Sequence, residues 1–301
     1  MTQSAIAVIV NAGSGGGNDQ ALVDRLAGHF EAAGLHAEIE LARGGDEIAT
    51  AVGNAIARRP RLIVAGGGDG TVSSVAATLV DTGIVFGVLP LGTLNHFARD
   101  LGIPLDLGEA VAVLARGQAA RVDVGEVNGR IFVNNSGLGL YPDIVHDRER
   151  QQKRLGRGKW PAFAWAMWSA LRRFPFMTLQ MNVDGQTSRI RTPFLFIGNN
   201  RYEMSGLRLG RRTSLQSGTL SIHLAQRAGR LRLLQLALNA LMGRLGSTAD
   251  FIVLDGQRLE ISSRHATLQV ATDGEVTRLP TPLACRIHPR ALQVWLPAGE
   301  H

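Results

Sequence analysis

Through its first 120 residues the chain alternates short apolar, β-branched runs with stretches of helical spacing, and three of the apolar runs open into glycine-rich loops. "AIAVIV" (5–10) runs into "NAGSGGG" (11–17), "RLIVAGGG" (61–68) into "DGT", and "GIVFGVLPLG" (83–92) into "TLNH". Between them, "DQALVDRLAGHFEAAG" carries Leu22, Leu26 and Phe30 at helical spacing and ends on Gly34. "LHAEIEL" alternates as a strand; "DEIATAVGNAIARR" and "TVSSVAATLVD" have helical spacing, and "LNHFARDLG" opens a further helix. Strands separated by helices of roughly 10–15 residues specify βαβ units and a parallel sheet. Ligands of such sheets bind beyond the carboxyl ends of the strands, where all three glycine loops fall.

Glycine costs regular structure about 0.5–1 kcal/mol per residue. Gly66, Gly67, Gly68 and Gly70 around Asp69 therefore imply positive φ or close approach to something. Glycine loops at helix N-termini let backbone N–H groups converge on phosphate oxygens. Ser14, Thr71, Thr93 and Asn95 add hydrogen-bonding groups without anionic charge. Neither a Walker lysine nor a dinucleotide GxGxxG with its distant acid fits these loops. Thr71 has a second reading, as the N-cap of the following helix, and Asp69 alone would pass for a turn acid. Together the loops specify a phosphate-binding α/β domain over residues 1–124.

After about residue 123 the texture changes to short alternating runs, among them "MTLQMNV", "FLFIG", "TLSIHLA", "RLEIS", "TLQVAT" and "LQVWLP". Asp-Gly pairs at 184–185, 255–256 and 273–274 punctuate them and read as hairpin turns. Residues 125–289 are expected to form an antiparallel β-rich domain, with 290–301 packing back on the first domain. Two helical insertions, 160–174 and 229–245, interrupt it.

No stretch approaches the roughly 18 apolar residues of a membrane span, and the glycine-rich start has no signal-peptide pattern. The single cysteine, Cys285, excludes an internal disulfide and fits a reducing cytoplasm as a small buried residue. Net charge is +7 and unevenly placed. Between Arg148 and Arg173 there are eight Lys or Arg and one acid, and Met204 to Ala249 holds seven Arg and none. Such a bias calls for an anionic partner. Trp160, Trp165 and Trp168 lie inside that first basic stretch (148–173), which suits a helix in an anionic membrane interface; packing on the β-domain is the other reading. Nucleic acid is not expected, because aromatics are not spread along strands as a stacking platform.

"GGGDGTVSSV" (66–75) with "LPLGTLNHFARDLGIP" (89–104) resembles the diacylglycerol kinase catalytic superfamily, which includes bacterial diacylglycerol and phosphatidylglycerol kinases and the sphingosine and ceramide kinases. The likeness extends over nearly the whole chain through "NAGSGGG", "VDVGEVNGRIFVNNSGLGL" (122–140) and "TDGEV" (272–276). It implies a nucleotide-binding α/β domain followed by a β-sandwich lipid domain, and an enzyme that transfers the γ-phosphoryl group of ATP to a lipid hydroxyl with Mg2+. Carried onto this chain, Asn11, Ser14, Gly67, Gly68, Asp69, Gly70, Thr71, Gly92, Thr93 and Asn95 would surround the nucleotide, Asp69 serving its metal or its ribose side. Asp273 would be the general base, with Glu275 beside it. The resemblance also implies a protein held peripherally on the inner face of the membrane.

Three features depart from the family pattern. His96 stands where members commonly have an acid, and Leu41 where many have a threonine. The 210–218 turn, which holds a structural Mg2+ in many bacterial relatives, has Gln216 and Ser217 and no acid, so that site is expected to be absent. Asp123 matches an acid expected to bond between the domains. An NAD kinase shares GGDGT, and a non-catalytic lipid- or nucleotide-binding protein would explain the missing acids; these are the alternatives. Unpaired sheet edges leave a homodimer open.

Overall fold

The alternation of the first 120 residues becomes β1 (Ile6–Asn11), α1 (Asp19–Ala32), β2 (Ala37–Ala42), α2 (Gly44–Arg58), β3 (Leu62–Gly67), α3 (Asp69–Leu79), β4 (Val85–Pro90), α4 (His96–Asp100) and α5 (Leu107–Arg116). The computed structural model describes residues 6–12, 19–139, 176–205, 208–225 and 251–298. Ser14, the basic tryptophan segment 148–173 and both expected helical insertions lie outside the described residues.

The chain divides into two compact units, Met1–Val124 with His288–His301 and Gly125–Ile287. In the first, four parallel strands run in the order β2-β1-β3-β4. The helices bury the faces their spacing specified: Leu22, Leu26 and Phe30 from α1, and Ile48, Ala51, Val52 and Ala55 from α2. Each of the large side chains contributes about 1.5–3 kcal/mol over leaving it in water. Asp106 caps α5 by accepting from the Glu109 amide at 3.0 Å. Strand order reverses between β1 and β3, so this sheet has its ligand crevice at the carboxyl ends of those two strands.

Strand β5 (Gln118–Val127) leads into the second unit, followed by β6 (Arg130–Phe132), β7 (Asn135–Gly139), β8 (Met177–Val183), β9 (Gln186–Thr192), β10 (Phe194–Asn199), β11 (Tyr202–Ser205) and β12 (Arg208–Arg212). After these come β13 (Leu220–Ala225), β14 (Phe251–Gly256), β15 (Arg258–Ser263), β16 (Thr267–Thr272), β17 (Glu275–Pro280) and β18 (Leu283–Leu296). One sheet has the order β14-β13-β10-β7-β16-β17, antiparallel throughout. The other pairs β9, β8 and β15 with the start of β18. Leu179, Met181, Leu259 and Ile261 from one sheet and Leu138, Leu195, Ile197, Leu220 and Ile222 from the other form a single core. An α/β domain with a mainly parallel sheet is thus followed by an antiparallel sandwich, the expected fold class.

One local detail corrects an expectation. Asp255-Gly256 is no hairpin: it ends β14 in one sheet, and β15 begins in the other. Glycine is needed there because a Cβ on Gly256 would lie 2.6 Å from Val183 Cγ1, and Asp255 pairs with the Arg201 guanidinium at 2.9 Å. Asp123 accepts from the Arg290 amide at 2.8 Å within the first unit. Cys285 is buried, and burial, with Glu126 near it, pushes its thiol up to about 12, far from nucleophilic use. Among the described residues no helix is long and apolar enough to cross a membrane.

Candidate active site

At the carboxyl ends of β3 and β4 two loops meet beside the end of β1. Asn11 ends β1 and donates its side-chain amide to Thr71 Oγ1 at 2.9 Å, joining that strand end to the loop after β3. Helix α3 starts at Asp69, with Gly68 in the N-cap position and no side-chain cap. Thr71 is therefore not an N-cap: it sits inside the first turn, buried, with its hydroxyl engaged by Asn11. Val72 bonds back to the Gly68 carbonyl at 3.0 Å, so the amides of Asp69, Gly70 and Thr71 belong to the open N-terminal turn, the positive end of the helix dipole.

The loop after β4 leans on the loop after β3. A Cβ on Gly92 would fall 2.4 Å from the Gly68 Cα, whereas a Cβ on Gly68 would meet nothing closer than 3.6 Å. A Cβ on Gly67 would collide with Thr71 at 2.6 Å. Gly67 and Gly92 are thus demanded by contact within the protein, and Gly68 leaves backbone bare. Asn95 is buried at φ +52° and folds its own loop, accepting from the Gly92 amide at 3.0 Å and donating to the Gly92 carbonyl at 2.8 Å. Thr93 is exposed at the tip of that loop. Asp69 Oδ1 accepts the His96 amide at 2.7 Å, tying α3 to the start of α4. His96 contributes its backbone here, and its side chain replaces no carboxylate.

Of the predicted nucleotide residues, the structure thus brings Asn11, Gly67–Thr71 and Gly92–Asn95 together. Two abutting glycine loops and an open helix N-terminus fit phosphate oxygens. Asp69 is the carboxylate among them, enough for a Mg2+ carried in largely by nucleotide phosphates.

In the second unit Asp273 and Gly274 form the two-residue turn between β16 and β17, both at positive φ. The Asp273 carboxylate accepts three backbone amides: Val133 at 2.8 Å, Asn134 at 2.9 Å and Asn135 at 2.9 Å. A carboxylate has about four acceptor positions, so these bonds fix its direction. Glu275 is 63% exposed and 3.7 Å from Arg130, itself 42% exposed, and it makes no comparable clamp.

The turn after β12 carries no carboxylate between Thr213 and Thr219. Asn200 Oδ1 closes it by accepting both the Ser217 amide at 2.8 Å and the Ser217 hydroxyl at 2.7 Å. An oxygen so occupied, in a turn without an acid, does not fit a hard divalent cation.

Over residues 5–127 the chain matches the diacylglycerol kinase catalytic domain, and over residues 143–296 the YegS C-terminal NAD kinase beta sandwich-like domain. The chain belongs to the diacylglycerol kinase catalytic-domain superfamily. It is 28% identical over 251 residues to a diacylglycerol kinase of Bacillus subtilis, covering 82% of this chain and 81% of that protein. Against a probable YegS-like lipid kinase of Pseudomonas savastanoi pv. phaseolicola it is 32% identical over 258 residues, with 83% and 80% covered. It also matches an uncharacterized Synechocystis protein at 29% identity over 241 residues; that match takes in 78% of this chain and only 54% of the longer partner. The solved structure of a diacylglycerol kinase from Bacillus anthracis superposes with a TM-score of 0.73 at 21% identity, over 98% of this chain and 97% of that one, a likeness of fold.

The protein is accordingly a kinase of a lipid kinase family. The motif residues were legible in sequence; the polar shell behind Asp273 was not. Arg212, Asn199 and Tyr202 all bond the backbone at 133 and 134 that the Asp273 carboxylate holds. Their one sequence signal is a pair of Asn-Asn doublets, at 134–135 and 199–200, each next to a strand end.

Proposed function

We propose that the protein transfers the γ-phosphoryl group of ATP to a hydroxyl of a membrane lipid, diacylglycerol or a relative of it. The reading is supported above all by the contact between the GGGDGT and PLGTLN loops at the carboxyl ends of β3 and β4, beside the switch point of the sheet, in a chain of this family. Those loops would hold the phosphates through backbone amides, with Asp69 on the metal side. Mg2+, when bound with ATP, would neutralise phosphate charge. Asp273 would take the proton of the lipid hydroxyl as that oxygen bonds the γ-phosphorus and the bond to the β–γ bridging oxygen breaks, releasing ADP. Glu275, beside it, would assist from an exposed position. The basic tryptophan segment 148–173 would keep the enzyme on an anionic membrane surface as a peripheral protein.

The test is incubation with γ-labelled ATP and Mg2+ in anionic mixed micelles containing diacylglycerol, phosphatidylglycerol, ceramide, a sphingoid base or a polyprenol, with NAD as a soluble acceptor. Label is expected on one lipid and lost in Asp273→Asn. Label on NAD would replace the lipid reading with the NAD kinase one. ATP binding without transfer to any acceptor would favour a non-catalytic member of the fold.

A further inference from the structure

The backbone that holds Asp273 is itself held from its other side. The peptide group joining Val133 and Asn134 gives its N–H to Asp273 at 2.9 Å, and its carbonyl oxygen accepts Arg212 Nη1 at 2.5 Å. The same oxygen accepts the Asn199 side-chain amide at 2.9 Å. The next peptide group, Asn134 to Asn135, repeats the pattern. Its N–H goes to Asp273 at 2.9 Å, and its carbonyl accepts the Tyr202 hydroxyl and the Asn199 amide, each at 2.9 Å. Arg212 Nη2 reaches Asn134 Oδ1 at 3.1 Å, and the guanidinium lies over the Tyr202 ring at 5.8 Å.

A guanidinium and a carboxylate are thus joined head to tail through a single peptide dipole. Hydrogen bonds chained in this way polarise one another, strengthening the N–H donor that faces the carboxylate. Arginine suits the task because its planar, fixed-fork donors can serve a carbonyl and a side-chain amide at once.

We propose that Arg212 is a positioning residue for the phosphoryl-transfer step, fixing Asp273 through the Val133–Asn135 backbone. This rests on the assignment of Asp273 as the base. The guanidinium brings a fixed positive charge beside a turn whose residues do not fit the cation that the resemblance would place there. Its role is therefore electrostatic as well as geometric.

The experiment compares wild type, Arg212→Ala, Arg212→Lys and Asp273→Asn in the labelled-ATP assay on the accepted lipid, with and without ethylguanidinium. Thermal melts and ATP binding on the same samples check folding. Arg212→Ala is expected to lose roughly 10–100-fold in kcat while the KM for ATP stays within about twofold, since the nucleotide loops are untouched. Arg212→Lys should fall between, and millimolar ethylguanidinium should restore part of the Arg212→Ala loss and nothing in Asp273→Asn. A folded Arg212→Ala with wild-type kcat would overturn the proposal and leave the Asp273 assignment standing. Equal losses in the Ala and Lys variants, with no response to ethylguanidinium, would also overturn it in favour of a packing role. Wild-type activity in Asp273→Asn would remove the assignment itself. Should Arg212→Ala fail to fold, Arg212→Lys decides: a loss in kcat alone supports the proposal, and an unchanged kcat overturns it.

Discussion

Asp184-Gly185 and Asp273-Gly274 are nearly superimposable in build. Both are two-residue hairpin turns with both residues at positive φ, +47° and +93° in the first, +47° and +91° in the second. Both aspartates also turn their carboxylates onto backbone amides far away in sequence. Asp184 accepts from Gln257 at 3.0 Å and Arg258 at 2.9 Å, where the chain passes from β14 to β15. Asp273 accepts from Val133, Asn134 and Asn135. What differs is the far side of the captured segment. Arg212, Asn199 and Tyr202 crowd the carbonyls of 133 and 134, so the segment under Asp273 carries a charged and amide-rich support. The lesson is that Asp-Gly encodes a turn and an anchor; whether the anchor also serves chemistry depends on what stands behind the anchored backbone.

The pair can be broken most sharply by charge removal. Asparagine tolerates the left-handed conformation and keeps one acceptor oxygen, so Asp184→Asn and Asp273→Asn should preserve both turns. Asp273→Asn is expected to lower kcat by about 10²–10⁴, the range of a general base, and Asp184→Asn to leave it within about twofold. Equal activity in the two variants would make Asp273 a second structural anchor and nothing more. Removing the carboxylates altogether tests the likeness instead. Asp184→Ala and Asp273→Ala should each destabilise the protein by about 1–2 kcal/mol, because charge-assisted bonds to backbone amides are lost. Urea unfolding should show similar drops for both, and a much larger one for Asp273 would mean that its clamp supports more than its own turn.

Glu275 offers a smaller contrast beside the Asp273 turn. Exposed and paired only loosely with Arg130, its change to Gln should cost less than tenfold in kcat and leave melting unaltered, as exposed ion pairs contribute about 0–1 kcal/mol. A loss as large as that of Asp273→Asn would place the base elsewhere in "DGE".

Any acid-side measurement on these turns has to be separated from His223, in the same domain. Burial pushes His223 below its usual 6.5, against an opposing pull from Asp255, and its Nε2 contacts the Ser221 hydroxyl at 2.8 Å. Below about pH 6.5 the unfolded chain takes up a proton that the folded protein refuses, so stability falls as pH drops. His223→Gln should flatten that small slope in urea titrations between pH 7 and 5. An unchanged slope would assign it to the carboxylate anchors instead.

Much of the site was legible because its signals are local. The three glycine loops fell at strand ends by periodicity alone, and Asp-Gly at 184 and 273 named its own turn. Asp-Gly at 255 misled, because Gly256 answers to the Val183 side chain of another strand and not to a turn. Thr71 misled in the same way: an N-cap reading looks only to its own helix, and the partner that claimed its hydroxyl is Asn11, 60 residues earlier.

The sequence by itself determined the alternation of strands and helices in the first domain, the loops able to meet phosphate, two of the positive-φ turns and the family. These follow from side-chain period, from glycine's missing Cβ and from motif spacing, all of which act within a few residues. Only the tertiary structure decided that Gly92 rests on Gly68, that Asp273 holds amides 138–140 residues away, and that Arg212 lies behind them. Those partners are chosen by strand register and sheet packing: a one-residue slip in β7 or β16 would turn the same side chains to the opposite face.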